Sequence, residues 1–255
     1  GCHLDAVGRK LRLGGGGANT AIPLRHAGHE VALVAPVGGD DVAEWLLAKL
    51  QGAGIDVAAV VRVPGGSTRS IVLVDPGGER TIVNLHRCRE TGPPDRLAAL
   101  EADAIYVRSR DLDVTALLAE AAARSLVVAH VPPLETGSRP AHVLVGSESD
   151  LPAEFLADPW AAGREIAGLA LRLVVVTRGE RGAEAYGASE HESVRAPHVT
   201  VVDSTAAGDV FAAGLVHALT EGRPTRAALE TAVAWGAAAV ACPGIPSRET
   251  IQGLL

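Results

Sequence analysis

The sequence predicts one α/β domain with a mostly parallel central sheet, flanking helices and a small β lid. Three observations carry that expectation. Strand-length apolar runs alternate with helical patterns along most of the chain, one stretch at about 57–87 breaks the alternation, and no repeat or low-complexity linker divides residues 1–255. Short Val/Ile/Leu-rich strands separated by helices pair in parallel with both sheet faces covered. Sheets of that kind take ligands at the carboxyl ends of their strands.

Taken in order, four glycines, Gly14 to Gly17, lead into a helix expected to start near Ala18. "EVALVAPV" (30–37) reads as a buried strand and "DVAEWLLAKLQGAG" (41–54) as a helix closing on glycine. "VAAVVRV", "TRSIVLV" and "ERTIVNLH" follow with no helix between them, and "DPGGE" (75–79) carries the proline and glycines of a hairpin turn. This is the expected antiparallel flap. "DAIYV" (103–107), "SLVVAHV" (125–131), "AHVLVG" (141–146) and "LRLVVVTRG" (171–179) are further strands, each separated by helical segments. "HVTVVD" (198–203) reads as a strand that turns through tiny residues into a helix over 208–222. The small-residue segment 226–242 suits a helix packed tightly against a sheet.

Composition narrows the function classes. With 47% hydrophobic and 21% charged residues the chain can bury a sizeable core and does not resemble a disordered one. A net charge of -7 with no Lys/Arg-rich run argues against nucleic-acid binding. No charge-free apolar stretch reaches the roughly 18 residues of a membrane span. Cys2, Cys88 and Cys242 are odd in number and widely spaced, as free thiols in a reducing cytoplasm would be, and no signal peptide is visible. A cytoplasmic protein with a small-molecule substrate is expected.

Two stretches carry chemistry. In "LRLGGGGANTAIPLRHAG" the glycines let backbone approach a ligand, the helix start offers unpaired N–H groups, and Asn19 both donates and accepts, which fits hydroxyl recognition. In "VVDSTAAGDVFAAGL" the amides of Ala206, Ala207, Gly208 and Asp209 sit at a strand-to-helix turn, where the helix dipole adds positive potential. Side chains larger than alanine would block a phosphoryl group there. Asp209, at the rim, is placed to take a proton from an attacking hydroxyl. The alternative is a helix-capping Asp209 and a strand-ending Asp203. The chain has no GxxxxGK[ST], GxGxxG, HExxH, GxSxG or CxxC.

These residues resemble the ribokinase / phosphofructokinase-B family of small-molecule kinases. "DSTAAGD" matches its C-terminal signature D-T-x-G/A-A-G-D except at Ser204, and "GGGGAN" matches its N-terminal glycine signature. "GERTI", "VVTRGERG" and "PGIPSRETI" follow family segments in the right order. The resemblance implies a ribokinase-like fold and an ATP-dependent kinase that phosphorylates a hydroxyl of a small sugar. It implies Asp209 as catalytic base and Ala206, Ala207 and Gly208 as anion hole. Asp5, Gly15, Gly16 and Asn19 would hold substrate hydroxyls, and Thr177, Gly179 and Gly182 would lie under the nucleotide. It also implies Mg2+ near Asp150, and K+ in a monovalent-cation loop of Asp203, Ser247 and the backbone near Pro243 and Gly244.

Departures accompany the match. The N-x-x-E element reads "SESD" (147–150), with Ser147 for Asn and Asp150 for Glu; the lysine of ribokinases is Gly16; and only eight residues separate Asp5 from Gly14, where a longer lid strand is usual. Alternatives are a nucleoside kinase, including pseudouridine kinase-like members, and a non-catalytic ligand sensor. Two further expectations come from the residues themselves. The apolar flap is expected to pair two copies into a homodimer. Arg108 and Arg110, at a strand's carboxyl end, with His86, Arg87 and Arg89 from the flap, suit an anionic substrate, unless they pair with Asp111, Asp113 and Glu90 instead.

Overall fold

The structure is a computed structural model and describes residues 7–8, 10–74, 80–109, 113–132 and 138–255. In chain order its elements are α1 (Gly16–His26), β1 (Ala35–Val37), α2 (Asp41–Gly52), β2 (Val60–Arg62), β3 (Arg69–Val74), β4 (Arg80–His86), β5 (Ala104–Val107), α3 (Thr115–Ala121), β6 (Leu126–His130), β7 (Val143–Ser147), α4 (Ala153–Ala157), α5 (Pro159–Ala167), β8 (Leu173–Thr177), β9 (Ala183–Tyr186), β10 (His191–Val194), α6 (Ala207–Thr220), α7 (Thr225–Val240) and α8 (Arg248–Gln252).

The central sheet has the order β10-β9-β8-β7-β6-β5. Strands β5 to β8 are parallel, and β9 and β10 add an antiparallel hairpin at one edge. Alternate side chains of each strand leave the sheet on opposite faces, and the two cores follow that period. Val128, Val143, Val145, Leu173 and Val175 face α6 and α7, whereas Val127, Ala129, Leu144, Val174 and Val176 pack with Leu118, Phe155 and Ala167 on the other side. Helix α6 is buried continuously from Val210 to Ala218. It lies close to α7 because both present glycine at the crossing. A Cβ at Gly214 would stand 2.9 Å from Trp235 Cγ, and one at Gly236 3.3 Å from Phe211 Cβ. The small residues of the C-terminal segment therefore serve helix–helix approach on top of the sheet.

Three expectations change in detail. The strand over 30–37 is confined to Ala35–Val37, with an isolated bridge from Ala32 to Asp56. "VAAVVRV" is not part of the flap, because β2 pairs in parallel with β1. The flap is β3 and β4 alone, antiparallel, with the hairpin residues 75–79 outside the described set. Finally, 198–203 forms no strand. Its amides at Val202 and Asp203 bond the Val240 carbonyl at the end of α7, and Val199, Val201 and Val202 stay exposed, so the apolar run has no sheet partner.

Candidate active site

The carboxyl end of β5 meets the N-termini of α1 and α6, where several of the predicted residues gather. Helix α6 begins on Ala206, whose φ of 68° is left-handed, the single such non-glycine residue among those described. That conformation strains an L-residue by about 1–2 kcal/mol, a cost that only glycine would avoid here. The first intrahelical bond runs from the Val210 N–H to the Ala206 carbonyl, so the amides of Gly208 and Asp209 precede the ladder and face outward. Ala206 and Ala207 rest partly on the core, and Ala207 N–H donates to the Ser204 carbonyl at 3.4 Å. Gly208 is the open position: a Cβ there would meet nothing within 4 Å. The room in this turn lies over Gly208.

Asp209 is held on both carboxylate oxygens. Asn19 Nδ2 donates to Oδ2 at 2.9 Å and Arg108 Nε donates to Oδ1 at 3.0 Å, while the Thr20 hydroxyl donates to the Asp209 carbonyl at 3.1 Å. These contacts join the start of α1, the end of β5 and the first turn of α6. They place Asn19 and Arg108, both predicted, on the predicted base itself. Gly16 makes this possible, since a Cβ on it would stand 2.5 Å from Arg108 Cγ. The glycine in place of the ribokinase lysine is therefore the space Arg108 crosses. Burial alone would lower the Arg108 pKa, but the charge of Asp209, with a smaller share from Asp150, raises it overall. Its guanidinium stays cationic, and Asp150 lies within its electrostatic reach. Gly15, with φ 97°, forms the bend before α1, and its carbonyl accepts from Asn19 N–H at 2.9 Å. Tyr106, missed by sequence reasoning, lies partly buried beside this cluster with its hydroxyl enclosed. Its hydroxyl makes no bond of ordinary geometry among the described residues, and burial and the Asp209 charge raise its pKa.

The residues expected under a nucleotide form a second group. Thr177 ends β8 and pairs across to Ser147 at the end of β7, so "SESD" and "TRGERG" are neighbours. Gly179 (φ 57°) and Gly182 (φ 98°) close a tight turn through Gly182 N–H to the Gly179 carbonyl, and a Cβ on Gly182 would collide with the Val194 carbonyl. Glu148 binds both Arg178 and Arg181 through its two oxygens. Asp150, exposed in the same turn, is a hard-oxygen donor that neither of these arginines engages. No group of three His/Cys/Asp/Glu able to hold a metal unaided exists among the described residues. Mg2+ keeps several waters and binds through one or two carboxylates with substrate phosphates, and an exposed Asp150 fits that role.

Other predicted residues are dispersed. His86 lies against the Gly65–Gly66 turn beside Asp40 rather than with Arg108. Asp5 and Arg110 lie outside the described residues. Glu90 pairs with Arg96. Asp203 accepts from Thr205 N–H at 2.9 Å and from Arg12 Nη1 at 2.7 Å. Ser247 caps α8 by accepting from Thr250 N–H at 3.2 Å.

A family model described as pfkB family carbohydrate kinase matches residues 5–250. The ATP-dependent ribose-1-phosphate kinase of Halopiger xanaduensis is 30% identical over 98% of this chain and 88% of its own length. The 1-phosphofructokinase of Rhodobacter capsulatus is 28% identical over 98% and 88%. Among solved structures, ribokinase from Thermotoga maritima superposes with a TM-score of 0.77 at 22% identity, covering 99% of this chain and 90% of that one. Ribokinase from Cryptococcus neoformans in complex with ADP gives 0.78 at 21%, covering 100% and 92%.

Proposed function

The chain belongs to the pfkB family of carbohydrate kinases, and from that premise we propose that it transfers the γ-phosphoryl group of ATP to a hydroxyl of an already phosphorylated sugar. The transfer itself follows from the turn. The substrate hydroxyl lies against Asp209 and its oxygen bonds to the γ-phosphorus as the bond to ADP breaks. Its proton passes to the Asp209 carboxylate. Negative charge on the transferred group meets the Gly208 and Asp209 amides and the positive end of α6. Thr177, Gly179 and Gly182 line the nucleotide side, and Asp150 would hold Mg2+ together with the phosphates, the metal supplying charge neutralisation there. An intact Asp209 beneath an open Gly208 favours a kinase over a sensor, which needs neither.

The single observation that carries the substrate class is the Arg108–Asp209 pair, 3.0 Å long and reaching across Gly16. In the free protein Arg108 competes with a substrate hydroxyl for Oδ1. An anionic group on the substrate engages the guanidinium by paired hydrogen bonds and leaves that oxygen to the hydroxyl. A neutral sugar or a nucleoside offers no such exchange. The named activities of the Halopiger and Rhodobacter relatives, both on phosphorylated sugars, support the same class. The test is kcat/KM for sugar monophosphates, free sugars and nucleosides in wild type and Arg108→Ala. A loss of about 10–100-fold, the scale of one charge-assisted contact, confined to the phosphorylated sugars is expected. An equal effect on all three classes, or preference for a nucleoside, would reject the assignment.

The flap supports a homodimer. Ile71, Val72 and Leu73 are consecutive and all more than 40% exposed, as are Ile82, Val83 and Leu85 on the pairing strand, so both faces are bare. Two copies stacking these hairpins would cover them. Light scattering should give twice the chain mass, with Val83→Glu returning it to a monomer; a wild-type monomer at micromolar concentration contradicts this.

A further inference from the structure

The monovalent-cation loop implied by the resemblance does not fit the residues present. A cation needs several free oxygens, and the two side chains implied for it are already engaged. Asp203 Oδ1 accepts the Thr205 N–H and Oδ2 accepts Arg12 Nη1 at 2.7 Å, while the Ser247 hydroxyl caps α8 and shares a 3.0 Å bond with Thr250 Oγ1. Gly244, at φ 102°, brings its loop against the same guanidinium: a Cβ on it would stand 4.0 Å from Arg12 Nη1. Both Val202 and Asp203 N–H groups bond the Val240 carbonyl. The Asp203 carboxylate therefore sits at the negative end of α7, where an uncompensated anion is unfavourable.

We propose that Arg12 supplies from within the chain the positive charge that the family's loop takes from a monovalent cation. A guanidinium delivered by the segment before α1 neutralises Asp203, braces the turn 203–206 against residues 243–244, and so fixes the direction in which the Gly208 and Asp209 amides point. Arg12 is a positioning residue, since it acts on the phosphoryl site only through Asp203. Two consequences follow. Catalysis is indifferent to K+, and the N-terminal segment is tied to the C-terminal motif by a contact spanning 191 positions. The catalytic consequence rests on the kinase reading above; the structural one does not.

The experiment measures thermal unfolding and initial phosphorylation rate for wild type, Arg12→Lys and Arg12→Ala, in chloride salts of K+, Na+ and tetramethylammonium at constant ionic strength. Wild type should show the same Tm and rate in all three salts. Arg12→Ala should unfold a few degrees lower and turn over about 2–5-fold more slowly, the scale of an ion pair whose guanidinium is 43% exposed. The loss should fall on kcat rather than on sugar KM, and K+ or low guanidinium should recover part of both Tm and rate. Arg12→Lys should keep most of both without added cation. Activation of wild type by K+ over tetramethylammonium overturns the proposal, as does an Arg12→Ala protein with unchanged Tm and rate. Should no variant phosphorylate any sugar while the Tm pattern holds, the kinase reading falls and the Arg12 brace stands. If Arg12→Ala fails to fold, the wild-type salt series and Arg12→Lys still decide.

Discussion

Asp203 and Asp209 stand six positions apart in one motif, each bound to an arginine from a distant part of the chain, yet they are built for different work. Asp203 is 17% exposed in its side chain, and one of its oxygens is fixed by a backbone amide, the Thr205 N–H. Asp209 is 13% exposed, but both of its oxygens are held by side chains alone, Asn19 and Arg108, at the rim of an open turn. Backbone partners cannot leave without unfolding the turn, whereas side-chain partners can exchange for a substrate. The contrast lies in which partners are free to move, because burial is nearly equal. On the proposed reading, Asp203 holds the turn and Asp209 reacts in it.

Removing the negative charge from each should separate the two roles. Asp209→Asn keeps the shape and should lose about 10²-fold or more in kcat, at or above the usual range for general acid–base catalysis, with Tm and ATP affinity close to wild type. Asp203→Asn should do the reverse in kind and be smaller. Burial alone would raise the Asp203 pKa, but bonds from Thr205 and then Arg12 hold it below the ordinary value. Its stabilisation is therefore complete above about pH 4, the unperturbed value, and is lost as pH falls through the lowered one. The Asn variant should unfold about 2–4 °C lower at neutral pH, the shift expected for about 1 kcal/mol in a chain of this length, and should lose the acid limb of the wild-type stability profile. Near-normal kcat in Asp209→Asn, or an equal catalytic loss in both variants, would erase the distinction.

The sequence made the motif legible because its information is local. Tiny residues before an apolar helix specify a tight turn at a helix start, and the helix from Ala207 to Thr220 lies where the pattern places it within two residues. The alternating strands of the parallel sheet were equally readable, as both faces are covered and the runs are continuously apolar. What failed was anything that depends on a partner. "HVTVVD" has strand composition, but its amides are claimed by the end of α7, and "VAAVVRV" pairs with β1 rather than with the flap. Arg12 on Asp203 and Asn19 on Asp209 join positions 191 and 190 apart, and no spacing rule reaches that far. The anionic-substrate expectation turned on Arg108. It missed that the same side chain rests on the base, a contact that only the absence of a side chain at Gly16 hinted at.

Gly208→Leu examines the central claim most directly, because it drives stability and catalysis in opposite directions within one protein. Gly208 lies in the first turn of α6 in helical conformation, and a side chain there meets nothing within 4 Å. Replacing glycine with a good helix former should raise stability by up to about 1 kcal/mol. The same side chain fills the space that the proposed transfer assigns to the phosphoryl group, and turnover should fall about 10²-fold or more, as when an anion-hole contact is lost. Tm and kcat measured on one preparation decide the matter. An unchanged or raised Tm with kcat reduced to that extent is the predicted result. Full turnover in a folded Gly208→Leu protein would contradict the account, because phosphoryl transfer would then take place elsewhere.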